Sequence, residues 1–329
     1  MFKKYMKTSQ NHFCLLDGAT TNPGDLSWEG LENRVSLEVY DRTSPEETVA
    51  RASGCEGILT NKVLLPKEVL DQLPDLKAVF LLSTGVNVVD LNVCTQRGIP
   101  VCNIPAYSTA SVAELVFSYL FHWSRRVQTH AEAVRSGHWA ACEDFTFSLT
   151  PQRELSECTL GLIGFGDIAQ SVAERARLFG MKVLATTPHP EGKPDLGQRF
   201  VSLEDVLKDS DIVSLHCPLN EETDNIINSD RIRSIKKGAV LLNTGRGGLI
   251  DEPALAEALK SGHLDAAYLD VLTTEPPKKE NSFTPLANAF ITPHIGWATR
   301  AARQRLIDTL TGNVEAWLDG HPRNVVNNV

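Results

Sequence analysis

The sequence lacks several features that would place a protein quickly. It has no run of about twenty apolar residues, so no membrane span is expected. It has no basic block: 41 acidic residues against 32 Lys and Arg leave a formal charge of −9, the wrong sign for a partner that is a nucleic acid. Its cysteines (Cys14, Cys55, Cys94, Cys102, Cys142, Cys158 and Cys217) are odd in number and contain no CxxC pair. That count argues against structural zinc and a disulfide framework; no metal centre is expected, and a reduced cytoplasm is the simplest setting. The opening MFKKYMKTSQ is basic, but the NHFCLLDG behind it lacks the apolar stretch and small-residue cleavage site of a secretory signal. There is no internal repeat and no low-complexity segment.

What is present suits a soluble α/β protein. With 329 residues, 42% hydrophobic and 22% charged, the chain has material for roughly two domains. Short aliphatic runs alternate with helix-like stretches nearly throughout, the pattern of parallel sheets flanked by helices. FCLLD, SLEVY, GILTN, KAVFLL and IPVCN are the strand candidates of a first α/β series. A long helix is expected from Ser108, reading STASVAELVFSYLFHWSRRV, with Ser and Thr at its mouth as caps. The following SGHWAACEDFTFSLTPQREL has no clear period and reads as an irregular arm over the surface or onto a partner subunit. A second series then runs through TLGLIG, MKVLAT, DIVSLHCP, AVLLNTG, AAYLDV and AFITP. The last helix carries Leu306, Leu310, Val314 and Trp317 on one face and could close either series.

The second series opens on TLGLIGFGDIAQSVAERARLFGM, a strand, a glycine turn and a helix in succession. Gly164 and Gly166 fill the first two positions of a dinucleotide-binding fingerprint and Ala169 the third. The first glycine permits the tight turn, the second lets backbone approach a pyrophosphate, and the helix N-terminus faces the phosphates. A purely structural turn is the competing reading, and the strand-turn-helix context favours the dinucleotide.

Ligands of open α/β sheets sit outside the carboxyl ends of the strands, where three polar clusters fall. In VLLNTGRGGLIDE, Arg246 is surrounded by Gly245, Gly247 and Gly248 and could grip a carboxylate through two hydrogen bonds; alone it would read as a surface ion pair. In YLDVLTTEPP, Asp270 closes a strand and Glu275 stands in a turn stiffened by Pro276 and Pro277, where a solvated loop charge is the ordinary case. In FITPHIGWATR, His294 follows an apolar run. Glutamate and histidine converging beside an arginine would make a charged imidazole, a competent general acid.

These motifs, LGLIGFGDIAQ, HCPLNEETDNIIN, LLNTGRGGLIDE, DVLTTEPP and TPHIGWAT in this order, make the chain resemble the D-isomer-specific 2-hydroxyacid dehydrogenases over nearly its whole length. The resemblance implies two doubly wound parallel-sheet domains, a Rossmann-type dinucleotide domain over 104–297 inserted into a flavodoxin-like substrate domain formed by 1–103 and 298–329. The last helix would then return to the first domain, with the cleft between domains and a homodimer as the assembly. It implies Arg246, Glu275 and His294 as the catalytic trio. Cofactor contacts are implied at Thr84, Gly164, Gly166, Asp167, Ile168, Thr187, Cys217, Pro218, Thr244, Gly245, Arg246, Asp270, His294 and Gly296. Substrate contacts are implied at Ser83, Gly85, Val86, Asn87, Arg246, His294 and Trp297.

Within that family STGVNVVDL, IPAYSTASVAE and WAT are similar to glycerate dehydrogenases, also called hydroxypyruvate reductases, which implies reversible hydride transfer between a nicotinamide and a small D-2-hydroxy or 2-oxo acid such as D-glycerate and hydroxypyruvate, or glyoxylate. Many such enzymes carry tyrosine where this chain has Val86. Phosphoglycerate dehydrogenase is an alternative within the family. A nucleotide-sensing scaffold, as in corepressors of the same fold, is the alternative of another class, against which stand the three retained chemical residues and the want of a long polar tail. One expected residue is missing. The strand KVLATTPHP ends on Thr187 where an acid usually accepts hydrogen bonds from the ribose hydroxyls and repels a 2′-phosphate. With His189 nearby and no arginine following closely, NADH is favoured and NADPH stays open.

Overall fold

Strands buried on both faces read as nearly continuous apolar runs, and the inner strands of this chain do so with buried Thr60, Ser214 and Asn243 as polar exceptions. The computed structural model describes residues 11–329, so the basic segment MFKKYMKTSQ lies outside the described residues. The chain divides into two compact units, one ending at Ser108 and completed by Ala298–Val329, the other Thr109–Trp297.

The first unit holds a five-stranded parallel sheet in the order β2-β1-β3-β4-β5, with β1 His12–Leu15, β2 Ser36–Val39, β3 Gly57–Thr60, β4 Ala78–Leu81 and β5 Val101–Cys102. This is the flavodoxin-like strand order. The helix Pro45–Ala52 between β2 and β3 starts on a capping box, Ser44 with Glu47, and a proline at its first turn. The C-terminal helix Arg300–Leu318 packs here, sinking Leu306, Leu310 and Val314 completely, while the Trp317 ring lies 5.6 Å from Phe13 and 6.3 Å from Phe80. Arg303, at the head of that helix, anchors it: its guanidinium donates to both carboxylate oxygens of Asp25 at 2.7 Å, to Thr21 O and to Ala298 O. The bidentate bond to Arg303 holds the Asp25 carboxyl below its ordinary range.

Residues 104–108 lie with this unit rather than with the second series. Ile104 N donates to Ser83 O at 3.0 Å, Thr84 Oγ1 donates to Ile104 O at 2.8 Å, and Arg305 Nε donates to Tyr107 O at 2.9 Å.

The second unit holds a seven-stranded parallel sheet, order β12-β11-β10-β9-β6-β7-β8. Its strands are β6 Thr159–Ile163, β7 Lys182–Thr186, β8 Gln198–Phe200, β9 Ile212–Leu215, β10 Val240–Asn243, β11 Ala266–Leu269 and β12 Ala289–Ile291. From β6 outward the order is the dinucleotide-binding one, with β12 added at the edge. Ile163 pairs with Leu215, Leu215 with Asn243, Asn243 with Leu269, and Leu269 with Ile291. Five adjacent strands therefore finish in one row.

The structure corrects the sequence reading in places. The helix expected over 108–127 is Thr109–Arg125, and the sequence reading missed a second helix behind it, Val127–Arg135, set off by Arg126 in a left-handed backbone with φ +44°. The short β8 escaped notice because three residues with an arginine in the middle carry no period. Residues 136–154 form turns without a long element, and expose Trp139 at 52% and Phe145 at 89%. All seven cysteines are free, and among the described residues no helix is long and apolar enough to cross a membrane.

Truncating Leu310, wholly buried in the C-terminal helix, should cost about 2–5 kcal/mol. Urea unfolding of Leu310→Ala against the parent chain measures it.

Candidate active site

The glycine turn after β6 is built by close approach. Gly164 has φ +92°, and a Cβ there would stand 2.6 Å from the His216 carbonyl carbon and from the Cys217 amide nitrogen. Only glycine fits both demands. Gly164 N closes the turn onto β7 by donating to Thr186 O at 2.9 Å. Gly166 instead faces open space, with nothing within 4 Å of a Cβ built on it, and caps the helix Asp167–Leu178. The first helical bond is Gln170 N to Gly166 O, so the amides of Gly166, Asp167 and Ile168 point forward along the axis, as an anion requires. Ala169 is fully buried where the helix packs on the sheet.

Beyond β10 a buried asparagine shapes the next loop. Asn243 Nδ2 donates to Arg246 O at 2.7 Å and its Oδ1 accepts from Gly245 N at 3.0 Å, which folds Thr244–Arg246 into a turn. Sequence reasoning passed over Asn243, although an Asn-Thr-Gly run directly after a strand is the sign of such a turn. Arg246 is exposed and its Nη1 donates to Gly245 O at 2.8 Å; among the described residues no carboxylate pairs with it. The ordinary surface ion pair is thus absent. Gly247 is pressed so tightly against the chain that a Cβ would collide with the Leu272 carbonyl and the Thr273 amide. Thr244 Oγ1 is buried and has no hydrogen-bond partner in the described residues. An orphaned buried hydroxyl beside an exposed arginine and an open glycine turn is what a polar cofactor would satisfy, so the residues fit a dinucleotide.

The loops after β11 and β12 meet. His294 Nδ1 and Glu275 Oε2 are 2.7 Å apart, and Glu275 Oε1 accepts from Leu272 N at 2.9 Å. A carboxylate can only accept, so Nδ1 carries the proton of this bond and Nε2 is the outward nitrogen. His294 adopts φ +53°, a left-handed conformation uncommon for such a side chain. Asp270, only 2% exposed, holds it there: its backbone O accepts from His294 N at 2.8 Å, its Oδ1 from Ile295 N at 2.8 Å and its Oδ2 from Gly296 N at 2.7 Å. Expected at the cofactor, Asp270 directs both carboxylate oxygens into the His294 loop. Trp297 is partly buried at the end of that loop.

At the end of β7, Thr187 is partly buried and makes no hydrogen bond to the described residues, and His189 is exposed. Cys217 and Pro218 follow β9, where burial pushes the Cys217 thiol up and Pro218 O accepts from Thr223 Oγ1.

In the first unit, Ser83–Asn87 leave the end of β4. Ser83 Oγ donates to Gly85 O at 2.7 Å, and Asn103 Nδ2 donates to Thr84 O at 2.8 Å. The amides of Gly85, Val86 and Asn87 donate to no acceptor among the described residues, an arrangement suited to a carboxylate.

Residues 117–296 match the family described as D-isomer specific 2-hydroxyacid dehydrogenase, NAD binding domain. The chain is 43% identical over 319 residues to a hydroxypyruvate reductase of Blautia hydrogenotrophica, covering 95% of this chain and 98% of that one. It is 41% identical over 290 residues to a glycerate dehydrogenase of Methylorubrum extorquens, covering 87% and 90%. A D-lactate dehydrogenase of Aquifex aeolicus, solved with NAD and lactic acid, superposes with a TM-score of 0.80 at 31% identity, covering 94% of this chain and 96% of that one.

His216, which backs the glycine turn, has its ring enclosed although the residue keeps some surface, and burial lowers its pKa from 6.5 to about 4. Its Nε2 lies 2.9 Å from Ser214 Oγ. Between these two values the unfolded chain binds a proton that the folded chain does not, so stability falls as pH drops through that window. The loss should reach at most about 3 kcal/mol and be absent in His216→Gln, checked by thermal unfolding of both proteins from neutral to acid pH.

Proposed function

The chain belongs to the family of D-isomer specific 2-hydroxyacid dehydrogenases, enzymes with an NAD-binding domain, and from that premise we propose that it interconverts a small 2-oxo acid of the hydroxypyruvate or glyoxylate kind with its D-2-hydroxy acid. The observation that carries this reading is the 2.7 Å bond from His294 Nδ1 to Glu275, in loops beside the unpaired Arg246. The names of the Blautia and Methylorubrum relatives support the substrate class.

In the direction of reduction Arg246 grips the substrate carboxylate with its two-pronged guanidinium and draws electron density from the neighbouring carbonyl. The amides of Gly85, Val86 and Asn87, after Ser83, donate to no acceptor among the described residues and are suited to a substrate carboxylate. His294 holds a proton on Nε2 and passes it to the C2 oxygen as negative charge develops there. Glu275 keeps Nδ1 protonated and the ring in place, and stabilises the charged imidazole before the transfer. In oxidation the same Nε2 removes the hydroxyl proton. The nicotinamide, when bound, supplies the hydride to C2 or takes it up. Gly164, Gly166, Asp167 and Ile168 would hold its pyrophosphate, Thr187 a ribose, and Cys217, Pro218, Thr244, Gly245 and Gly296 its nicotinamide end, with Trp297 beside the substrate.

NADH is the favoured cofactor because no arginine follows Thr187 closely to clasp a 2′-phosphate, and NADPH stays open because Thr187 can bond a ribose hydroxyl but carries no charge to repel a phosphate. The free state of all seven cysteines supports a reducing compartment, the cytoplasm. The partner we assign is a second copy of the chain, and the exposed Trp139 and Phe145 support that assembly.

His294→Ala should lower kcat by about 100- to 10,000-fold on the best of hydroxypyruvate, glyoxylate, pyruvate and phosphohydroxypyruvate; near-normal turnover would remove His294 from the chemistry. The same panel run with NADH and NADPH tests the cofactor reading: Thr187→Asp should raise KM for NADPH far more than for NADH, and a strong preference of the parent chain for NADPH would overturn it.

A further inference from the structure

The loop that presents His294 has its backbone amides tied to one residue. The His294 amide donates to the Asp270 and Thr292 carbonyls, and the amides of Ile295 and Gly296 donate to the two Asp270 carboxylate oxygens, so the carboxylate fixes the chain directly after His294. That carboxylate has a further donor. Thr292 Oγ1 donates to Asp270 Oδ1 at 2.6 Å, which uses the only hydroxyl proton of Thr292. Tyr119 Oη also bonds Thr292 Oγ1, and with that proton committed, tyrosine must be the donor. The chain of bonds therefore runs one way, from Tyr119 to Thr292 to Asp270. Burial raises the Tyr119 hydroxyl pKa, so it stays a donor at any ordinary pH.

Tyr119 belongs to the helix Thr109–Arg125, which holds the same loop at a second point, where Ser111 Oγ donates to Gly296 O at 2.5 Å. Ser111 and Tyr119 are eight residues apart, roughly 12 Å along a helix axis. The helix grips the loop at both ends of Asp270's span. We propose that Tyr119 and Thr292 are positioning residues for the proton transfer: a buried hydroxyl pair that orients the Asp270 carboxylate and, through it, the His294 backbone. The proposal rests on the reading of His294 as the acid and base. Each acts through Asp270. A buried carboxylate that loses a donor turns toward others, and its two amide bonds turn with it.

The experiment uses the full chain and the variants Thr292→Val, which keeps the shape and removes the hydroxyl, Thr292→Ser, which keeps the hydroxyl, and Tyr119→Phe. Two quantities are read: kcat and KM on the best 2-oxo acid, and amide hydrogen exchange at Ile295 and Gly296 in the protein without cofactor or substrate, with the β6 amides as reference. Thr292→Val should lower kcat by roughly ten- to a hundredfold with KM little changed, the scale expected for a small misplacement of the transferring group. Exchange at Ile295 and Gly296 should quicken while that of β6 stays as it was. Thr292→Ser should restore both, and Tyr119→Phe should shift both in the same direction by less. Normal kcat in Thr292→Val, unaltered exchange at the two amides, equal acceleration throughout β6, or a loss that serine fails to restore would each overturn the proposal. Should Thr292→Val fail to fold, Tyr119→Phe is judged by the same two readouts. His294→Ala separates the two ideas: if it retains turnover, the acid-base reading fails, whereas the exchange data still decide whether the hydroxyl pair sets the loop.

Discussion

Everything at the candidate site depends on the shared direction and register of the strands in the second unit. Parallel pairing sends every strand end to one edge, and here Ile163, Leu215, Asn243, Leu269 and Ile291 finish side by side. The next residues along the chain are therefore brought to one edge although the first and last of them are 128 positions apart in sequence. Gly164, His216, Thr244, Asp270 and Thr292 each follow one end of that row. The inner strands of this sheet are largely apolar and buried, so most polar groups gather where the sheet stops. A site at this edge is a consequence of the sheet as much as of the loops.

A second constraint refines the first. Loops leaving one edge compete for the same space, and the chain resolves the crowding with glycine and with buried acceptors. Gly164 and Gly247 stand where any side chain would strike the backbone of the neighbouring loop, so those loops touch main chain to main chain. Asp270 takes the amides of Ile295 and Gly296, and Asn243 fastens the turn that carries Arg246. Asp17 does the same kind of work in the first unit, accepting from Asn61 N and Lys62 N beyond β3. Each case trades a buried charge or amide for a loop of definite shape, which is stable only because its polar atoms are paired. Among the described residues Thr244 Oγ1 has no partner and Arg246 bonds only the Gly245 carbonyl, which leaves both available for a ligand.

Much of this was legible beforehand. The alternation of apolar runs and turns implied parallel sheets, and the glycine turn announced itself because close backbone approach has a one-residue solution. Taken singly, Arg246 and Glu275 read as ordinary surface charges; with His294 they stood out as a set at strand ends and through the motifs that carry the family resemblance. The supporting residues did not stand out. Tyr119 and Thr292 are 173 positions apart, and a tyrosine inside an apolar helix or a threonine after an apolar run reads as ordinary packing. The left-handed turn at Arg126 was equally hidden, since arginine suits a helix, and residues 104–108 could be given to the first unit only once the bonds of Ile104 and Tyr107 were seen.

By itself the sequence determined which residues could do chemistry, because charge, hydroxyl and absence of a side chain are properties of single positions. It also determined the missing acid at Thr187, a fact about one strand end that no fold can supply. Only the tertiary structure decided what those residues touch: that His294 bonds Glu275 through Nδ1, that Arg246 has no carboxylate partner among the described residues, and that Asp270 faces the histidine loop. Hydrogen bonds reach about 3 Å, and whether two groups come that close depends on strand register and on how loops crowd at one edge, neither of which is written at any single position.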